Sequence, residues 1–143
     1  MNGISLEQAR VIIAGALAKA GDAGLKPLAV VVLDAGGHTT AFERQDGASA
    51  MRFKLAHGKA YGAIAMGLGS RALYERAQKQ PYFIDAMNAL ADGALVPVPG
   101  GVLIRDGEGA LLGAVGVTGD NSDNDEICAI AGIEAAGLVA DTG

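Results

Sequence analysis

Phe53, His57 and Tyr61 stand four residues apart within a helical pattern, which puts an imidazole and a phenol on one stripe. Such a pair can ligate a metal or a haem iron, or pass a proton. A helix-face histidine packed on Tyr61 is the structural use of the same residues. A neighbouring stripe carries Arg52, Ala56, Lys59 and Ala63, so two cations sit among small residues. Those cations suit an anionic ligand such as a carboxylate or propionate, and equally a bridge to nearby Asp or Glu. Further on, Val96 to Asp120 reads as a β-hairpin with a glycine-rich loop at each open end. Pro99, Gly100 and Gly101 form one loop and Thr118-Gly119-Asp120 the other, and both lie at the same end of the hairpin. Exposed backbone amides there can hold a ligand or stabilise an oxyanion. Small residues in these strands also serve a helix that lies close on a sheet. The expected arrangement is one recess, with the two glycine turns opening beside His57, Lys59 and Tyr61. Arg44, at the end of a strand, and Arg71, at a helix start, are placed to lean over the same mouth.

Other candidates are weaker. His38 sits in the Asp34-Ala35-Gly36-Gly37 turn, where a solvated loop residue is expected. The acidic run Asp120, Asp123, Asp125 and Glu126 fails the calcium-loop template, which needs glycine where Asp125 stands and an acid where Ala131 stands. Carboxylates at a helix start are favoured by its dipole, which accounts for most of them. Glu134, a lone charge in an apolar helix, is expected to be buried against a cation, with another subunit as one source. Cys128, the single cysteine, excludes an internal disulfide and reads as a buried inert thiol. No P-loop lysine and no strand-GxGxxG-helix order occur, and the chain starts Met1-Asn2 without the N-terminal proline of a tautomerase.

The elements that must position these groups follow from periodicity and punctuation. A chain of 143 residues suffices for one domain with its own core, here residues 1–143. Its 22 glycines, about twice the usual share, predict close packing of helices on a sheet. A net charge of −5 with no basic stripe argues against nucleic acid as partner. No uninterrupted apolar run approaches membrane-spanning length, and Glu7, Gln8 and Arg10 break any signal-like start, so a cytoplasmic location is expected. Ser5 and Gln8 form a capping box for a first helix with Leu6, Ala9, Ile13, Leu17 and Ala20 on its stripe. Leu28 to Leu33 is a strand covered on both faces, and Thr39 to Arg44 returns beside it. A long helix is expected from about Ala50 to Met66. Two shorter ones follow, then the hairpin, with room for an extra short strand near Leu95. A last helix runs from Ser122 or Asp123 to about Ala140. The order α-β-β-α-α-α-β-β-α, with tight turns between paired strands, predicts an antiparallel sheet and the α+β class.

With these pieces in order, the chain resembles the haem-binding-protein/GlcG family (HbpS-like), a domain also related to the C-terminal part of some corrinoid adenosyltransferases. The resemblance rests on SLEQAR, VVVLDAGGHTTAFERQDGA, KLAHGKAYGA, PVPGGVLIRDGEGALLGAVGVTGD and SDNDEICAIAGI, and so runs almost end to end. It departs from the family pattern at Gly62, where other members have threonine after KAY, at Ser70, and in a first helix without histidine. The resemblance implies a profilin-like α+β domain with helices on both faces of an antiparallel sheet. It also implies homo-oligomers from dimer to octamer, haem as a cofactor in some members, and links to iron handling or oxidative-stress protection.

Three functional readings follow. The first is a small-ligand or haem-binding protein, with His57 or Tyr61 as iron ligand and Arg44, Arg52 or Lys59 on the propionates. The second is an enzyme on a small anionic metabolite, with the Gly100 and Gly101 amides as oxyanion donors and His57 or Lys59 as acid/base. The third is a structural or stress-protective oligomer in which the glycine loops only pack.

Overall fold

The computed structural model describes residues 3–143; Met1 and Asn2, where the N-terminal-proline reading falls, lie outside them. Helix α1 (Leu6–Ala23) opens on the Ser5/Gln8 capping box and ends at Gly24, whose left-handed φ of 65° closes the last turn. Strands β1 (Ala29–Asp34) and β2 (Thr39–Arg44) form a hairpin. Helices α2 (Arg52–Met66), α3 (Ser70–Lys79) and α4 (Pro81–Leu90) follow, the last starting on proline, whose missing N–H is harmless there. A second hairpin, β3 (Gly101–Arg105) and β4 (Leu111–Thr118), leads into α5 (Ser122–Ala135) and a short β5 (Val139–Asp141).

All strand pairs are antiparallel and form one sheet in the order β2-β1-β4-β3-β5. Period-two alternation sorts its side chains between two cores. Val30, Val32, Val102, Ile104, Val115 and Val117 meet α1 and α5 on one face. Val31, Leu33, Leu103 and Ala114 meet Ala56, Ala60 and Ala63 of α2 on the other. The buried apolar residues that α2 contributes to this core are all alanine, so the helix lies very close to the sheet. Gly101 and Gly116 stand directly opposite each other on β3 and β4. A methyl group on Gly116 would overlap the Ala56 carbonyl oxygen, and one on Gly101 the Lys59 carbonyl oxygen. The α2 backbone therefore rests on a bare patch of sheet. Gly116→Ala is expected to destabilise the fold by about 1–3 kcal/mol through overpacking, read as a lower urea midpoint. An unchanged midpoint would mean that α2 can lift off without loss.

Several expectations change. The last helix stops at Ala135, not near Ala140, because Gly137 takes a left-handed φ of 73° and its N–H returns to the Glu134 carbonyl. The freed residues cover the β3 edge as β5, whose pairing across Leu103 to Arg105 local sequence does not announce. No strand forms at Leu95; the Val96 N–H donates to the Gly58 carbonyl at 3.1 Å, so this segment is bound to a helix. On α1 the buried face is Ala9, Ile12, Ile13, Ala16 and Ala20, whereas Leu6 is exposed. The helix is rolled toward α5, where Gly15 and Gly132 allow close contact. Glu134 is exposed, so no buried counter-charge is required of it. No helix among the described residues is long and apolar enough to cross a membrane.

Candidate functional site

Helix α2 presents different chemistry on different sides. On the inner side, Lys59 is only 3% exposed, and its ammonium donates to the Val117 carbonyl at 2.9 Å and to Asp125 Oδ2 at 3.1 Å. The other Asp125 oxygen accepts the Asp120 N–H at 3.0 Å. Nearby, Arg52 Nη1 donates to Thr118 Oγ1 at 2.9 Å. Burial pulls the Lys59 ammonium below its ordinary value and pushes the Asp125 carboxyl above its own, each opposed by the other's charge. Gly100, at a φ of 124°, packs against the Lys59 side chain. The Gly101 N–H donates to Ser70 Oγ at 2.7 Å.

The structure thus brings Arg52, Lys59, Gly100, Gly101 and Thr118 together as a closed polar core, with buried Pro99 beside them. The expected single recess does not form: the hollow beside the Pro99 turn, about 280 Å³, is lined by Arg71, Tyr74, Val98, Ser122 and Asp123, while His57 and Tyr61 line others. Side chains fill the space between the glycine turns and Lys59, and Ser70 takes the Gly101 amide that an oxyanion would need. Arg44 lies elsewhere, its Nη1 on the Ala48 carbonyl at 3.3 Å, beside a broad open hollow of about 590 Å³ with Leu25, Pro27, Gln45 and Asp46. That hollow is mostly solvent-facing, and Gln45 is spent on the Leu28 N–H. Arg71 is clamped by Asp123 at 2.5 Å and Glu126 at 3.0 Å. Together with Lys59, it partners most of the acidic run. His38 is exposed in its turn, 3.3 Å from Asp34. Cys128 is buried, and burial pushes its thiol up to about 11, so it stays protonated.

The outer side of α2 is different. Phe42, Phe53, His57 and Tyr61 form a ladder with ring centroids 4.8, 5.8 and 5.6 Å apart, the last pair stacked within 13° of parallel. Tyr61 is pinned from below by Gly37, where a Cβ would come within 3.1 Å of its ring. His57 is half-buried, and burial lowers its pKa, so the neutral imidazole prevails at neutral pH. Among the described residues no side-chain hydrogen bond engages its nitrogens. It lines a hollow of about 260 Å³ with Phe53, Lys54, Asp92, Gly93 and Ala94. An apolar hollow of about 210 Å³ follows along the same helix, between Tyr61, Ala65 and Met66 on one wall and Met87, Leu90 and Leu95 on the other. Asp92 holds the turn between α4 and Leu95 at a φ of 55°, a left-handed conformation that aspartate tolerates better than most residues. Lys54 and Asp92 carried no sequence signal as site residues. Lys54 is one of many surface lysines until α4 folds back beside it.

One antiparallel sheet layered between helices defines a profilin-like α+β domain, here with two hollows along the outer side of α2. The profile of the family described as "Haem degrading protein HbpS-like" matches residues 4–134, and the chain belongs to that family. Among solved structures it is similar to a PduOC–haem complex, with 24% identity and a TM-score of 0.86 over 97% of this chain and 99% of that one. Klebsiella pneumoniae ORFY matches with 22% identity and a TM-score of 0.86 over 96% and 92%. A double mutant of Streptomyces reticuli HbpS matches with 27% identity and a TM-score of 0.79 over 94% and 87%. A search of curated proteins finds no match.

Proposed function

We propose that this chain binds haem on the outer face of α2, with His57 as the iron ligand, and serves in haem handling. One observation carries the reading: His57 is neutral, half-buried, without a side-chain hydrogen bond among the described residues, and held between two aromatic rings at the head of an apolar trough. These residues fit a haem's needs, an axial nitrogen and apolar walls. Family membership and the haem complex of a structural neighbour support the same ligand. When bound, haem would supply a redox-active iron; His57 would donate the nitrogen, and Tyr61, Met66, Met87 and Leu95 would offer apolar walls. Tyr61 orients the imidazole by stacking. The trough is open on its outer side, where Leu90 is 78% exposed, so a second copy of the chain is the natural cover in a homo-oligomer.

Haemin titration tests this reading, a one-to-one Soret change being the expected result. Protons compete with iron for the imidazole, and His57 titrates below the ordinary histidine value. Haemin affinity is therefore expected to be flat from pH 8 down to about 6.5. Below the His57 pKa it falls about tenfold per pH unit, since one proton must leave per ligand bound. A profile that instead rises as the pH falls excludes an imidazole ligand.

The enzyme reading has lost the geometry of its donors, because Gly101 and Lys59 are engaged in the closed core.

A further inference from the structure

Resting on that reading, we infer that Lys54 anchors a carboxylate of the ligand, so that the trough takes a one-ended, anionic planar molecule in a single orientation. The two hollows follow one another along α2 but differ in chemistry. The first holds Lys54, His57 and Asp92. The second has apolar walls, including Met66, Met87 and Leu90, and is lined by Tyr61, the residue stacked on His57.

Cations expected to meet an anionic ligand are committed elsewhere. Arg52 is held by Thr118, Lys59 by Asp125, and Arg44 lies on another side of the molecule. Arg71 is clamped between two carboxylates, and Arg76 sits over the Phe83 ring at 4.1 Å. Lys54 is exposed and enters no salt bridge among the described residues, although Asp92 lines the same hollow. It stands one helical turn before His57, on the same side of α2. Lys54 and Asp92 are the two oppositely charged side chains lining this hollow. A ligand that is apolar at one end and carries carboxylates at the other therefore has one favourable direction. Its acid groups lie at Lys54, away from Asp92, and its apolar edge lies toward Met87 and Leu90.

Opposite-sign variants test this, with haemin and haemin dimethyl ester as the two probes. Lys54→Glu is expected to weaken haemin binding about tenfold at low salt, and Lys54→Met about three- to fivefold, as for a solvent-exposed ion pair. Asp92→Asn is expected to tighten haemin about two- to threefold. The ester, which has no carboxylates to hold, should bind all of these variants like wild type. The haemin effects should shrink in 1 M salt. If Lys54→Glu binds haemin like wild type, or weakens the ester equally, the anchor is overturned while the iron site stands on its own test. If His57→Ala binds haemin like wild type, the site itself is overturned, and the anchor with it.

Discussion

His57→Ala is expected to lower haemin affinity at least tenfold and to move the Soret band, because it removes the nitrogen proposed to ligate the iron. The loss corresponds to about 1.4 kcal/mol or more of binding free energy. His57 is half-buried and outside all three buried clusters, so the variant should keep its fold. A circular-dichroism melt close to wild type would attribute the loss to the site. Tyr61→Phe keeps the stacked ring and should leave the band in place. Tyr61→Ala removes the stack that orients the imidazole and should weaken binding less than His57→Ala does. Should His57→Ala leave the spectrum intact while Tyr61→Phe shifts it, the phenol is the ligand and the reading moves one turn along the helix.

The second large effect is on stability. Lys59→Ala or Asp125→Ala alone should destabilise the domain by about 3–5 kcal/mol, because each leaves an uncompensated buried charge. For a domain of this size that is a fall of about 10–20 °C in Tm. The paired replacement Lys59→Met with Asp125→Leu should recover most of the loss. Burial disfavours both charges already, lowering the Lys59 pKa and raising that of Asp125, so the ion pair adds little over apolar contact of similar volume. Its use is positional: it ties α2 to the end of β4 and to the first turns of α5. Equal losses in single and double variants would show that the polar contacts stabilise the fold outright. Neither single variant should alter haemin affinity beyond the effect of partial unfolding, since the pair lies on the inner side of α2.

The two α-stripes of α2 illustrate how far residue spacing carries. Phe53, His57 and Tyr61 were placed on one face by their four-residue interval, and they stack in that order. Arg52 and Lys59 were placed on another, and they point together toward Thr118 and Asp125. The expected recess put both stripes beside the glycine loops, and only the Arg52 and Lys59 stripe lies there. Helical periodicity says what shares a stripe, but the stripe's direction depends on what the helix packs against. The choice was made by Gly101 and Gly116, whose bare backbone receives α2 at Ala56 and Lys59 and turns the aromatic stripe outward. The same glycines that suggested an open mouth are the ones that close it. Lys54 and Asp92 were silent because they are 38 positions apart in the chain and meet only through the return of α4.

By itself the sequence determined the α+β class, the paired hairpins, a buried strand read at Leu28 to Leu33 and found at Ala29–Asp34, and the family, because hydrophobic period, glycine turns and caps act over a few residues. Tertiary structure alone decided that Lys59 is a lock rather than a ligand group, that Ser70 occupies the Gly101 amide, and that His57 faces a trough. Those outcomes depend on which distant groups fill each other's space and satisfy each other's charge, and burial is a property of the assembled chain.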